Sequence, residues 1–275
     1  MTALNPAAED DRFSFTPFTR HPFFTYVNRW VLERVICPGR QVIVDLGCGP
    51  GAVTELILER TSAQQPRPLV IGVDPSPSAL AKARAAISSK WAEFKQGSAE
   101  WLSKLVKSAD AVVFLNAIHL IPDKLQVLKE IRRVLKPGGL LAFNSTFFNG
   151  AYVEGTGRFW RRWIVRSVQV LREKGIEVKH DGHAAAMEWM SAEQYAAACE
   201  AARLKPTTIE LLQVDMTRQA LIDIGHFSLF IEGALPGVPL EEGARALEVG
   251  LERTMEELKV ESCPRYWLEV VAEAV

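Results

Sequence analysis

The stretch that most constrains this chain is Val42-Ile43-Val44-Asp45-Leu46-Gly47-Cys48-Gly49-Pro50-Gly51. A short apolar run ends in a carboxylate, passes through three glycines and enters an amphipathic segment starting near Ala52. The run reads as a buried strand. The glycines allow positive φ and close approach of the backbone to a ligand, and the helix start that follows presents unbonded N–H groups. A small polar ligand is therefore expected at this turn.

The same alternation continues downstream. Apolar runs at 41–46, 69–74, 92–96, 110–115 and 139–145 read as strands, and 51–60, 77–88 and 123–135 read as helices between them. Lys136-Pro137-Gly138-Gly139 ends the last of these helices, because Pro and paired Gly cannot continue it. Strands joined by helical crossovers form a parallel sheet buried on both faces, and right-handed crossovers make it doubly wound, with ligands beyond the carboxyl ends of the strands. The alternation stops after residue 146. The segment 147–190 is rich in aromatic and basic residues and reads as an insertion. A helix at 191–203, a strand at 206–214, two helices between 218 and 260 and a strand at 266–273 complete an expected seven-stranded α/β sheet. We expect a single domain over 1–275, with a helical cover at 1–38, a lid insertion at 147–190 and a second helical insertion at 217–262.

Composition removes several classes of function. With 48% hydrophobic residues and 24% charged, the chain is globular rather than disordered. A formal net charge of -1 offers no excess of cations to track a phosphate backbone, so no nucleic-acid partner is expected. The four cysteines, Cys37, Cys48, Cys199 and Cys263, lack paired spacing, which argues against a zinc site or a disulfide framework and for a reducing, cytoplasmic setting. No apolar run is long enough for a membrane span, and the amino terminus lacks a secretory signal, so no stable membrane insertion is expected.

The glycine spacing is Gly-x-Gly-x-Gly, with Asp45 two positions ahead of Gly47, and not the Gly-x-Gly-x-x-Gly of dinucleotide sites. A carboxylate there would repel a pyrophosphate and suits an amino-bearing or cationic ligand. Asp74 ends the second strand in Gly72-Val73-Asp74-Pro75-Ser76. It can accept hydrogen bonds from both hydroxyls of a ribose, or it can cap the next helix.

Taken together, Asp45-Leu46-Gly47-Cys48-Gly49-Pro50-Gly51, Gly72-Val73-Asp74, Gln96-Gly97-Ser98-Ala99-Glu100, Asn116-Ala117-Ile118-His119 and Leu135-Lys136-Pro137-Gly138-Gly139 resemble the class I S-adenosylmethionine-dependent methyltransferases, in the small-molecule branch similar to quinone-biosynthesis enzymes. The resemblance covers residues 40–146 and implies a Rossmann-like seven-stranded, mostly parallel sheet with an antiparallel final strand and helical lid elements. It implies S-adenosylmethionine as cofactor, with the methionine end against Asp45, Gly47 and Gly49 and the ribose on Asp74. Pro75 and Ser76 would flank the adenine, Ser98 and Ala99 would lie near its amino group, and Asn116 would border the sulfonium. Where the family usually has an aspartate, this chain has Ser98, whose hydroxyl or backbone would have to replace the carboxylate.

The expected reaction is methyl transfer to a carbon or oxygen of a hydrophobic, aromatic or lipidic small molecule. His119 is the candidate general base, because an imidazole titrates near neutrality; packing beside the cofactor or capping a helix is its other possible role. No Asn/Asp-Pro-Pro-aromatic run follows the fourth strand, which disfavours base methylation, and no nearby carboxylate suggests a metal. Aromatics such as Phe13, Phe18, Phe147, Phe159, Trp160 and Trp163 could line an apolar acceptor pocket or could simply pack helices. Arg158, Arg161, Arg162 and Arg166 would form one stripe on a helix, either a solvated face or a docking patch for an anion. Two further readings stay open: a module of this fold that binds the cofactor without turnover, and a nicotinamide-dependent oxidoreductase, which the glycine spacing strains. Oligomeric state is not readable from these residues.

Overall fold

A computed structural model of the chain describes residues 11–178 and 189–275. Seven strands are present: β1 Val42–Leu46, β2 Leu69–Asp74, β3 Ala92–Gln96, β4 Ala109–Leu115, β5 Leu135–Ser145, β6 Leu204–Thr217 and β7 Ser262–Ala274. The helices, in chain order, are α1 Thr16–Thr19, α2 Pro22–Val35, α3 Ala52–Arg60, α4 Pro77–Ala86, α5 Leu102–Leu105, α6 Lys124–Val134, α7 Gly157–Glu173, α8 Ala192–Ala201, α9 Arg218–His226, α10 Ser228–Ala234 and α11 Leu240–Leu258.

The strands form one sheet in the order β3-β2-β1-β4-β5-β7-β6. β1 pairs in parallel with β2 and β4, β2 with β3, and β4 with β5, while β7 runs antiparallel to β5. The order reverses at β1, so the carboxyl ends of β1 and β4 diverge there and open a crevice, as expected for a doubly wound sheet. Ile43, Val44, Val70, Val73, Val112, Val113, Leu141 and Phe143 are fully buried, as strands covered on both faces require. The helices start where the sequence provides caps: Ser76 accepts from Ala79 N–H, Asp123 from Gln126 N–H, and Ser191 closes a capping box with Gln194.

Two local expectations are corrected. β5 begins at Leu135 and not at residue 139, because Leu135 pairs with Ala109 before a register shift carries the ladder to Ala111 and Leu140. The segment after residue 146, read as an insertion with helical elements, contains the 17-residue helix α7. The region expected to hold two helices between 218 and 260 holds three. Phe227 adopts an extended backbone at ψ 126° and separates α9 from α10, and a Leu235-Pro236-Gly237-Val238-Pro239 stretch precedes α11.

The chain divides into two compact units. One contains the sheet core and comprises 25–149, 189–212 and 267–275. The other comprises, among described residues, 11–24, 150–178 and 213–266. In the second unit α7 packs closely against α11: Trp163 Nε1 donates to Leu247 O (2.7 Å), and Arg253 pairs with Glu173. A Cβ on Gly250 would stand 2.6 Å from Ser167 N, so this crossing is too close for a side chain at that position. Arg162 and Arg166 of the predicted stripe both pair with Glu257 on α11, while Arg158 and Arg161 are exposed. The aromatics of this unit pack on one another, with Phe15 against Phe227 and Trp163 against Phe230.

Candidate functional site

Asp45, Gly47, Gly49, Asp74, Pro75, Ser98, Ala99, Asn116 and His119 all lie in the sheet unit, whereas the aromatics Phe13, Phe18, Phe159, Trp160 and Trp163 and the arginine stripe lie in the other. After Leu46 the chain turns sharply, with Gly47 N–H (2.7 Å) and Cys48 N–H (3.1 Å) both donating to Val73 O of β2. Gly47 has φ 68°, and a Cβ there would stand 3.1 Å from Ala117 Cβ and 3.2 Å from the Phe114 ring. Only glycine fits that combination of left-handed backbone and contact. Gly49, at φ 52°, differs, since a Cβ on it would meet nothing within 4 Å and its outer side is open.

Asp74 braces this loop from the neighbouring strand. Its Oδ2 accepts from Gly49 N–H (2.8 Å) and its Oδ1 from Ser76 N–H (2.9 Å). Capping of α4 falls to Ser76, so Asp74 is not the helix cap. Burial pushes its carboxyl above the usual range, against the two N–H donors. Each carboxylate oxygen has two acceptor positions, so one on each side remains for a further donor.

Asp45 is almost completely buried, and its Oδ2 accepts from the Thr54 hydroxyl (2.6 Å) one turn into α3. Burial raises its pKa to about 7, the Thr54 bond opposes that shift, and the nearby Asp74 charge adds to it. The two carboxyls thus share the loop with their protons held more tightly than usual. Thr54 gave no sequence signal beyond its place in an amphipathic helix.

Around the adenine position that the resemblance implies, Pro75 is exposed, Ala99 is buried, and the Ser98 hydroxyl donates to Glu100 Oε2. Ser98 is therefore engaged by a carboxylate two residues on. His119 lies in a single 3-10 turn after β4, with Nδ1 sharing a 3.0 Å hydrogen bond with the Ser145 hydroxyl. The Ser145 oxygen also accepts from Phe147 N–H (2.9 Å). The half-buried Phe147 ring lies 4.6 Å from the imidazole and 6.1 Å from Trp189.

Asn116 has left-handed backbone, φ 57°, directly at the end of β4. Its side chain is tied down by groups that sequence reading missed: Nδ2 donates to Asn28 Oδ1 (3.0 Å), and Oδ1 accepts from Trp267 Nε1 (3.1 Å). Asn144 and Glu269 complete the cluster. The available signals were Asn144 directly after the apolar run Leu140–Phe143 and Glu269 within Leu268–Val271. Among the described residues, no group of three His, Cys, Asp or Glu side chains could hold a metal, and no helix is long and apolar enough to cross a membrane.

Strand order, the antiparallel partner of β5 and a glycine loop braced by an acid on the adjacent strand are the arrangement that the resemblance to class I S-adenosylmethionine-dependent methyltransferases implies. Residues 44–143 match the family described as a methyltransferase domain, and this stretch is such a domain. The chain is 36% identical over 124 residues to a trans-aconitate 2-methyltransferase of Azoarcus sp. (strain BH72), covering 43% of this chain and 44% of the relative. To a ubiquinone biosynthesis O-methyltransferase of Pseudomonas fluorescens (strain SBW25) it is 31% identical over 119 residues, 42% of this chain and 48% of the relative. The match thus spans somewhat less than half the length of these relatives. A solved chain from the Haloferax volcanii complex of the Trm112 activator with a methyltransferase superposes with TM-score 0.59 at 19% identity, covering 97% of this chain and 95% of that one. A Bacillus halodurans C-125 methyltransferase structure gives TM-score 0.58 at 16% identity, covering 90% and 98%.

Proposed function

We propose that this protein transfers the methyl group of S-adenosylmethionine to an oxygen or carbon of a hydrophobic small molecule. The observation that carries the reading is the 2.8 Å bond from Gly49 N–H to Asp74 Oδ2, which joins two strand tips into one seat. The residues present suit the nucleoside. Gly49 is open on its outer side, Asp74 has acceptor positions left for ribose hydroxyls, and Asp45 offers a carboxyl to the amino group of the methionine end. Ala99 with Ser98 and Glu100 would border the adenine, and Pro75 would lie against its face.

When bound, the sulfonium supplies a methyl group that is already electrophilic. The residues of this chain then have to hold the acceptor in line and exclude water, a contribution of roughly 7 to 11 kcal/mol in well-oriented systems. In this reading Asn116 borders the sulfur. His119 takes the proton that an oxygen acceptor must lose, while its bond to Ser145 keeps the imidazole ring from turning. Phe147 and Trp189 beside that imidazole favour a flat, apolar acceptor. An oxygen acceptor is also named for one relative, the ubiquinone-pathway enzyme.

The test is calorimetry with S-adenosylhomocysteine. The intact chain should bind it, and Asp74→Ala should weaken binding at least tenfold; absence of binding by the intact chain would refute the proposal. Labelled S-adenosylmethionine offered with a panel of phenols, quinols and carboxylic acids then identifies the acceptor by product mass, and His119→Ala should slow transfer to oxygen more than to carbon.

A further inference from the structure

Asn144 on β5 and Glu269 on β7 stand opposite each other in register, and both are completely buried. Around them β5 carries Leu141, Ala142 and Phe143, and β7 carries Leu268, Val270 and Val271, all buried. Apolar side chains would satisfy these two positions at lower cost, because a buried polar group is unfavourable unless its hydrogen bonds are made. Almost every bond these groups make leads to one place. Asn144 Oδ1 accepts from Asn116 N–H (2.8 Å), and its Nδ2 donates to Asn28 Oδ1 (3.1 Å) and Glu269 Oε1 (3.2 Å). Asn116 in turn donates to Asn28 Oδ1 and accepts from Trp267 Nε1. Glu269 Oε2 is buried with no hydrogen-bond partner. Burial holds the Glu269 carboxyl well above its usual range, opposed by the Asn144 bond and the positive field of Arg34.

The outcome is a β4 exit turn with no side-chain freedom. Asn116 is locked at φ 57° by its own N–H and by both ends of its amide. Ala117, the next residue, is one of the two close contacts, with the Phe114 ring, that a side chain on Gly47 would meet.

We propose that this buried network positions the sulfur end of the nucleoside seat, with Glu269 as its anchor: it holds Asn116 in the left-handed turn and thereby keeps Ala117 against the glycine loop. Glu269 acts through Asn144 and Asn116 and needs no contact with the ligand. The inference rests on the nucleoside seat proposed above and adds that positioning in it is divided, with Asp74 governing the ribose and the network governing the sulfur and methionine end. A device at the sulfur end should matter to ligands that carry that end and not to adenosine alone.

The experiment compares adenosine with S-adenosylhomocysteine, both titrated calorimetrically into the full chain. Glu269→Gln keeps an acceptor for Asn144 and should leave both affinities within about twofold. Glu269→Leu removes that acceptor and should lower S-adenosylhomocysteine affinity at least tenfold with adenosine unchanged. Trp267→Phe, which removes the N–H held by Asn116 together with part of the buried ring, should move the same ratio in the same direction and serves if Glu269→Leu does not fold. Equal loss of both ligands, or loss of neither, in the variant that folds overturns the inference while the seat stands. Failure of the wild type to bind S-adenosylhomocysteine overturns the seat and this inference with it.

Discussion

Asp45 illustrates how a residue read as a ligand carries a cost in the folded chain. Its folded pKa, about 7, lies above that of an exposed carboxyl. Between the two values the native state keeps a proton that the unfolded state has released, so stability falls as pH rises through that window. The contribution is fully present below the unfolded pKa and is lost as pH passes about 7. Urea midpoints at pH 5 and pH 7.5 should therefore differ more for the wild type than for Asp45→Asn; equal slopes for the two would contradict the assignment. The same proton gives a binding signature. An ammonium group seated on Asp45 favours the carboxylate, so S-adenosylhomocysteine binding near pH 6 should release a proton, visible as a calorimetric enthalpy that varies with buffer, and Asp45→Asn should abolish it. At this scale the sequence was legible for the placement of Asp45 and Asp74, because Asp45 stands one residue before the end of an apolar strand that runs into a glycine turn and Asp74 ends a strand at a proline turn. The Thr54 partner was not, since a hydroxyl one helical turn into α3 has no distinguishing neighbours in sequence.

At the scale of elements, close approaches define two testable positions. Gly47→Ala would combine a left-handed backbone with an Ala117 contact of 3.1 Å and should destabilise the chain by about 1 to 3 kcal/mol, while weakening S-adenosylhomocysteine binding. Gly250→Ala would place a methyl 2.6 Å from a backbone nitrogen of α7 and should destabilise by a similar ~1 to 3 kcal/mol, but with affinity unchanged once folded. Thermal melts with and without ligand separate the two. Most strands and their helices were readable because periodicity and caps are local properties. The extra turns of β5 were not, because a Pro-Gly-Gly segment reads as a break, and only pairing with β4 draws it into the sheet around a register shift. The break at Phe227 was hidden because the glycine before it, Gly225, stays within α9, and the extended backbone of Phe227 appears only in the folded chain.

For the molecule as a whole, the division into two compact units makes ligand effects local. Every residue proposed for the nucleoside seat belongs to the unit of 25–149, 189–212 and 267–275. Saturation at 100 times Kd stabilises a bound form by ~2.7 kcal/mol, so hydrogen exchange should show slower exchange in β1, β2 and β4 than in α7 and α11. Uniform slowing of both units would show instead that they open together. The sequence alone determined the succession of strands and helices, the glycine turn and the two acids at neighbouring strand ends, because each depends on residues a few positions apart. Tertiary structure decided how the seat is held. Asn28, Asn116, Asn144, Trp267 and Glu269 come from distant parts of the chain, and their hydrogen bonds exist only once sheet order brings β4, β5, β7 and α2 together. Local sequence records that each is polar or aromatic; which donor meets which acceptor is set by register and burial.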